Sequence, residues 1–152
     1  MIVLLVLLVT FGIALVALKL ITRVWNPYLS GCIAMCAMLC FAALGHFLYP
    51  AGMEMMMPSF IPFKKGLVFI TGLLEIAGGI GLLFQHYRRT AALLLIIFFI
   101  LVLPANIYAA LHHINYQTAT TGGPGPEYLW LRVPMQLVFI AWVWFFGWRR
   151  GR

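Results

Sequence analysis

Hydrophobic positions along this chain do not alternate with polar ones; they run together in five long blocks. The blocks cover residues 2–21, 29–49, 66–84, 90–111 and 128–148, and the first is interrupted only by Lys19. Each is about 20 residues long, enough for a helix to cross a hydrocarbon core of about 30 Å. A membrane β-barrel would show short alternating strands, so the pattern predicts an all-α, polytopic membrane helix bundle with five spans. The breaks between blocks are unequal. Residues 85–89 form a tight turn, which makes the third and fourth spans antiparallel neighbours. Segment 50–65 carries Pro50, Pro58 and Pro62 and the run Met53-Glu54-Met55-Met56-Met57. It is expected to form a short interfacial helix followed by an extended stretch, with its methionines lying as a lid over the bundle. Residues 115–126, rich in Thr, Gly and Pro, read as a flexible loop.

Composition sharpens this picture. The chain has 152 residues, 64% of them hydrophobic and only 9% charged. Soluble domains carry about 25% charged residues, so a soluble enzyme, a disordered chain and a coiled coil are all excluded. The net charge of +7 does not indicate a nucleic-acid partner, because the basic residues are scattered singly and in pairs. The bilayer is the expected partner. No basic residue precedes Lys19, so the first block reads as a retained span rather than a signal peptide. Alternating sides place seven basic residues (Lys19, Arg23, Arg88, Arg89, Arg149, Arg150 and Arg152) on one face. Lys64 and Lys65 fall on the other, and Arg132 lies inside the fifth block. The seven-residue face is expected to be cytoplasmic, giving an N-out, C-in protein of the cytoplasmic (inner) membrane. Trp25, Trp144 and Trp148 then sit near the inner interface and Trp130 near the outer one.

Several local motifs occur in a particular order. They are Gly45-His46-Phe47-Leu48-Tyr49-Pro50, then Met56-Met57-Pro58 and Ile61-Pro62, then Gly72-Leu73-Leu74-Glu75-Ile76-Ala77-Gly78-Gly79-Ile80-Gly81-Leu82-Leu83 followed by Arg88-Arg89. Pro104-Ala105-Asn106-Ile107-Tyr108 and Trp130-Leu131-Arg132-Val133-Pro134-Met135-Gln136 complete the series. This series resembles the DoxX-like integral membrane proteins over roughly residues 29–148. The resemblance implies a four-helix membrane domain at residues 28–150, preceded by an additional transmembrane helix at residues 1–24, which departs from the usual four-helix core. Members are named from a quinone-linked thiosulfate oxidoreductase, and others are membrane accessory proteins. The resemblance therefore implies a redox-linked or accessory role, with membrane or soluble redox proteins as partners. It bears on fold more directly than on activity.

Glu75 is the first candidate for chemistry. It lies near the middle of the third block, where a carboxyl is costly unless it faces the bundle interior and has a partner. At 100° per residue, Thr71, Gly72, Gly78 and Gly79 share its side of the helix, while Phe69, Ile70, Leu73, Ile80 and Phe84 point to lipid. The small face allows close approach of another helix. Arg132 and Gln136 are spaced i, i+4 on the fifth block. Pairing Arg132 with Glu75 would cancel the one deep acid with the one intramembrane arginine, so the Glu75 carboxyl is expected within reach of Arg132, Asn106 or Gln136. Snorkelling of Arg132 to headgroups is the competing reading. Pro104 removes a helix hydrogen bond and frees the Ile100 carbonyl, a kink that a side chain can satisfy. His46 falls near the outer end of the second block.

Under the expected topology His46, Asn106, Arg132 and Gln136 occupy the outer half of the bilayer, with Glu75 at its floor. They read together as the lining of an outward-facing polar cavity. His46, Glu54, His112, His113 and Glu127 match no metal-ligand spacing, so no metal is expected. Cys32, Cys36 and Cys40 are spaced i, i+4, i+8 and read as packing residues. The chain carries no signature of an intrinsic cofactor; a bound quinone or lipid is the ligand such a cavity would suit. Two functions compete: binding of a small amphipathic or quinone-like molecule, and non-catalytic assembly of membrane partners. A transporter is a third, less supported because no inverted repeat is seen.

Overall fold

A computed structural model describes residues 2–149. Arg150 and Arg152, counted in the charge balance above, lie outside the described residues. Five helices are long and apolar enough to span a membrane: α1 (Ile2–Thr22), α2 (Pro27–Leu48), α4 (Lys64–Leu83), α5 (Arg88–Leu111) and a fifth span, Pro126–Trp148. A six-residue helix, α3 (Pro50–Met55), lies between α2 and α4. The fifth span begins as a single 3₁₀ turn at Pro126–Tyr128, continues as α6 (Leu129–Val143) and ends in a π-helical turn at Trp144–Trp148. The chain is a multi-pass helical membrane protein.

Helix boundaries follow local chemistry. The Asn26 side chain accepts a hydrogen bond from the Leu29 backbone N–H at 3.1 Å and caps α2, with Pro27 in its first turn. Pro50 separates α2 from α3, since it cannot donate the hydrogen bond that would carry α2 onward. Phe63 precedes α4 in the left-handed conformation (φ 55°), turning the chain from the proline-rich connection into the next span. The short turn between α4 and α5 is held by Arg88, whose Nε donates to the Leu82 carbonyl at 2.8 Å. This makes α4 and α5 antiparallel neighbours, as the brief 85–89 break predicts.

Packing is organised around α2, which lies along both α1 and α4; α5 joins α4 to the fifth span, whose terminal π turn returns to touch α2. The core is tightest at the end of the bundle near the α4–α5 turn. Cys32, Ala34, Met35, Leu82, Ala92, Leu95 and Val143 are buried there. Small residues set the spacing. A Cβ on Gly79 would lie 3.1 Å from Cys36 Cα, and one on Gly147 would lie 2.9 Å from Ala92 Cβ. Phe11 of α1 meets Trp142 edge to face at 5.1 Å, and the Trp142 indole donates to the Gly31 carbonyl at 3.0 Å. The predicted lipid face of α4 is observed: Phe69, Ile70, Leu73, Ile80 and Phe84 are exposed along the bundle's outside. Helix α1 is peripheral, with only Leu7 and Ala14 buried.

Candidate functional site

At the opposite end of the bundle, where α3 and the 112–125 connection lie, the helices part around a cavity of about 730 Å³. Helices α2, α4, α5 and α6 each contribute at least one polar side chain to it. His46, Glu75, Asn106, Arg132 and Gln136 all line it, and so do Thr71, Tyr116 and Tyr128. The apolar part of the wall comes from residues such as Leu39, Phe99 and Phe139. Met53, Met56 and Met57 lie over it from α3 and the turn that follows, as a lid would; Met55 does not line the cavity, and Phe60 and Phe63 are exposed on the outside. The lid is docked closely on the far connection: Gly52 lies so near the Tyr116 carbonyl oxygen that no Cβ fits between them.

The polar residues form two groups rather than one. The first joins α2 to α4. His46 Nδ1 lies 2.9 Å from the Val68 carbonyl and 3.1 Å from the Thr71 hydroxyl, and Thr71 in turn donates to main-chain carbonyls one turn back. His46 Nε2 lies 3.6 Å from Glu75 Oε2. Glu75 is 8% exposed. Its Oε2 is buried and, among the described residues, has no hydrogen-bond partner. Gly72 makes this group possible, because a Cβ there would lie 2.9 Å from His46 Cβ and push α2 away.

The second group joins α5 to α6. Arg132 Nη1 donates to Asn106 Oδ1 at 2.8 Å. Its guanidinium stands over Tyr128 at 4.9 Å and Tyr116 at 6.0 Å from the ring centroids. Gln136, also 8% exposed, donates to the Phe99 carbonyl at 2.6 Å. That carbonyl is one residue before the one Pro104 frees, so the side-chain clasp forms beside the predicted break in α5.

Among the described residues no direct hydrogen bond joins Glu75 to Arg132, Asn106 or Gln136, the partners expected within hydrogen-bond or water-bridged reach; the polar side chain beside its carboxyl is His46. Helix order accounts for this: α4, which carries Glu75, packs along α2 and against α5, whereas α6, which carries Arg132, packs on α5. Arg132 satisfies its charge locally on an amide and two tyrosine rings. Tyr128 is i−4 from Arg132 on the same helical face, a spacing visible in the sequence; Tyr116 comes from a loop and leaves no such signal. Gly78 and Gly79 divide their work, Gly79 meeting α2 at Cys36 and Gly78 meeting Leu95 of α5.

Among the described residues, no three His, Cys, Asp or Glu side chains gather as a metal site would require. The three cysteines are free thiols, and Cys32 packs with its Sγ 3.7 Å from the Phe146 carbonyl oxygen.

The fold and the cavity define a polytopic helical membrane protein with a lined chamber at one end. The chain belongs to the family described as a domain of unknown function, DUF8561, whose profile matches residues 35–147. The match starts within α2 and leaves α1 outside it. No curated protein and no solved structure matches the chain.

Proposed function

We propose that this chain is a DoxX-like protein of the cytoplasmic membrane that holds a small amphipathic or quinone-like molecule in the cavity, in a redox-linked or accessory role. One observation carries the reading: polar side chains from four helices converge on a single chamber whose remaining wall is apolar. A bundle whose role is only to clasp partners has no need of such a space, and a chamber of this size and lining suits a molecule with one polar end. The residues proposed to meet that end are His46, Glu75, Asn106, Arg132 and Gln136. The basic residues at the tight end support a cytoplasmic position for that end and an outward-opening chamber. Partner proteins would then deliver or receive electrons, since no residue set here carries a redox group.

The reading is tested with decylubiquinol, the reduced, dihydroxy form of a short-chain quinone. The purified protein in lipid nanodiscs is expected to bind it saturably, above partition into empty nanodiscs. Ala105→Trp, which projects a large ring into the chamber, is expected to abolish that binding while leaving the folded yield unchanged. Equal uptake by both proteins would refute the cavity as the binding site. Topology is tested separately: in a cysteine-free background, a cysteine replacing Thr120 is expected to react with a membrane-impermeant maleimide in intact cells. Protection there until permeabilisation would reverse the orientation.

A further inference from the structure

The two polar groups of the cavity differ in one respect that constrains what can bind. Arg132 is engaged by Asn106 and by ring faces, whereas Glu75 offers a buried oxygen that nothing described satisfies. A buried acceptor without a donor is costly, and the cost is relieved by a donor arriving from the cavity.

The proton inventory of the first group follows from geometry. The Val68 carbonyl can only accept, so at 2.9 Å the His46 Nδ1 must carry a proton and donate it. In a neutral imidazole Nε2 is then bare. A bare lone pair facing an ionised carboxylate oxygen at 3.6 Å would set two lone pairs against each other with no proton between them. Protonating both would set an N–H against an O–H and add a second cation to the chamber that holds Arg132. Two arrangements avoid both: imidazolium with carboxylate, or imidazole with carboxylic acid. Each holds one proton between Nε2 and Oε2, and each is neutral as a unit. Of the other groups on the chamber wall, Thr71, Asn106 and Gln136 are uncharged, Tyr49, Tyr116 and Tyr128 are phenols, and the Arg132 cation is engaged by Asn106 and the Tyr128 ring.

We propose that His46 and Glu75 share a single proton and that the pair, at His46 Nε2 and Glu75 Oε2, anchors a hydroxyl-headed amphipathic molecule. This rests on the cavity reading above and names the head group it selects. A hydroxyl beside the pair bridges it in either arrangement, donating to whichever of Oε2 and Nε2 lacks the proton and accepting from the one that carries it, so both members are satisfied without any net transfer of charge. An ether oxygen can accept but cannot donate, and a quinone-like guest supplies the donating hydroxyl in its reduced, dihydroxy form. An ammonium head would add a second cation to a chamber that already holds Arg132, and a carboxylate head would be drawn to Arg132 instead. The apolar wall formed by Leu39, Phe99 and Phe139 receives the hydrocarbon part.

Two measurements on the full-length protein in nanodiscs test this. The first reads the proton at neutral pH, by ¹⁵N spectra of labelled histidine and infrared difference spectra against Glu75→Gln. One signature is expected, either a His46 imidazolium or a protonated Glu75 carboxyl; finding both or neither overturns the shared proton. The second compares para-nonylphenol with its methyl ether, each corrected for partition into empty nanodiscs. The phenol is expected to bind about tenfold more tightly, the ratio set by one buried hydrogen bond. Equal binding of the two overturns the anchoring role while leaving the cavity reading in place. Failure of both, together with failure of decylubiquinol, overturns the cavity reading and this inference with it.

Discussion

The two ends of this bundle are built from the same helices yet solve opposite problems. Near the α4–α5 turn, Gly79, Gly147 and the small side chains of Cys32, Ala34 and Ala92 draw the helices together until no space remains. Toward α3, the same helices carry long polar side chains that meet across a chamber. Helix α4 shows the change along its own length. Gly79 meets the α2 backbone region at Cys36, whereas Gly72, two turns earlier, admits the His46 side chain. Packing in lipid has no hydrophobic drive between helices, so close contact at one end is what lets the other stay open. Stability and binding are therefore expected to be separable by position.

The largest effect that would test this separation comes from the closed end. Gly79→Leu forces a branched side chain against the α2 backbone and is expected to cost about 3 kcal/mol or more, read as loss of monodisperse protein on size-exclusion chromatography. Leu95→Ala, at a residue 2% exposed, is expected to cost about 2–4 kcal/mol in a reversible unfolding assay in mixed micelles. At the open end, Arg132→Met removes the bond to Asn106 and the tyrosine contacts; the expected loss is about 1 kcal/mol, measured in the same assay. If Arg132→Met proves as damaging as Leu95→Ala, the two ends are not energetically distinct. Smallest is the replacement of Cys36 and Cys40 by Ala, expected to change stability by less than about 1 kcal/mol, because both thiols are free and only partly buried.

The same contrast explains what could be read from the chain. Spans, lipid-facing positions on α4 and the small face around Glu75 follow from length and helical period, both local properties. The polar residues could be assigned to one half of the bundle because each lies at a definite depth along its own helix. Which of them touch depends on the order of helices around the bundle, and that is not a local property. Glu75 and Arg132 looked complementary by charge, yet α4 packs along α2 and against α5, whereas α6 packs on α5. The depth of His46 on its helix is legible from the sequence, but its approach to Glu75 depends on Gly72 and on α2 lying along α4. The Val68 carbonyl that fixes the His46 proton leaves no trace in the sequence, since every residue carries one.

Helix α1 gives the chamber its side wall. Ile2 and Val3 line it, together with Phe41, Leu44 and Leu48 of α2, and four of these five side chains (Ile2, Phe41, Leu44 and Leu48) are themselves turned toward lipid. The chamber is thus bordered by the leaflet as well as by the lid. A guest arriving sideways is already concentrated by partition into the bilayer, so its occupancy tracks its mole fraction among lipids rather than its concentration in water. Dilution of the guest with extra lipid would empty the chamber, while dilution of the vesicles with buffer would not.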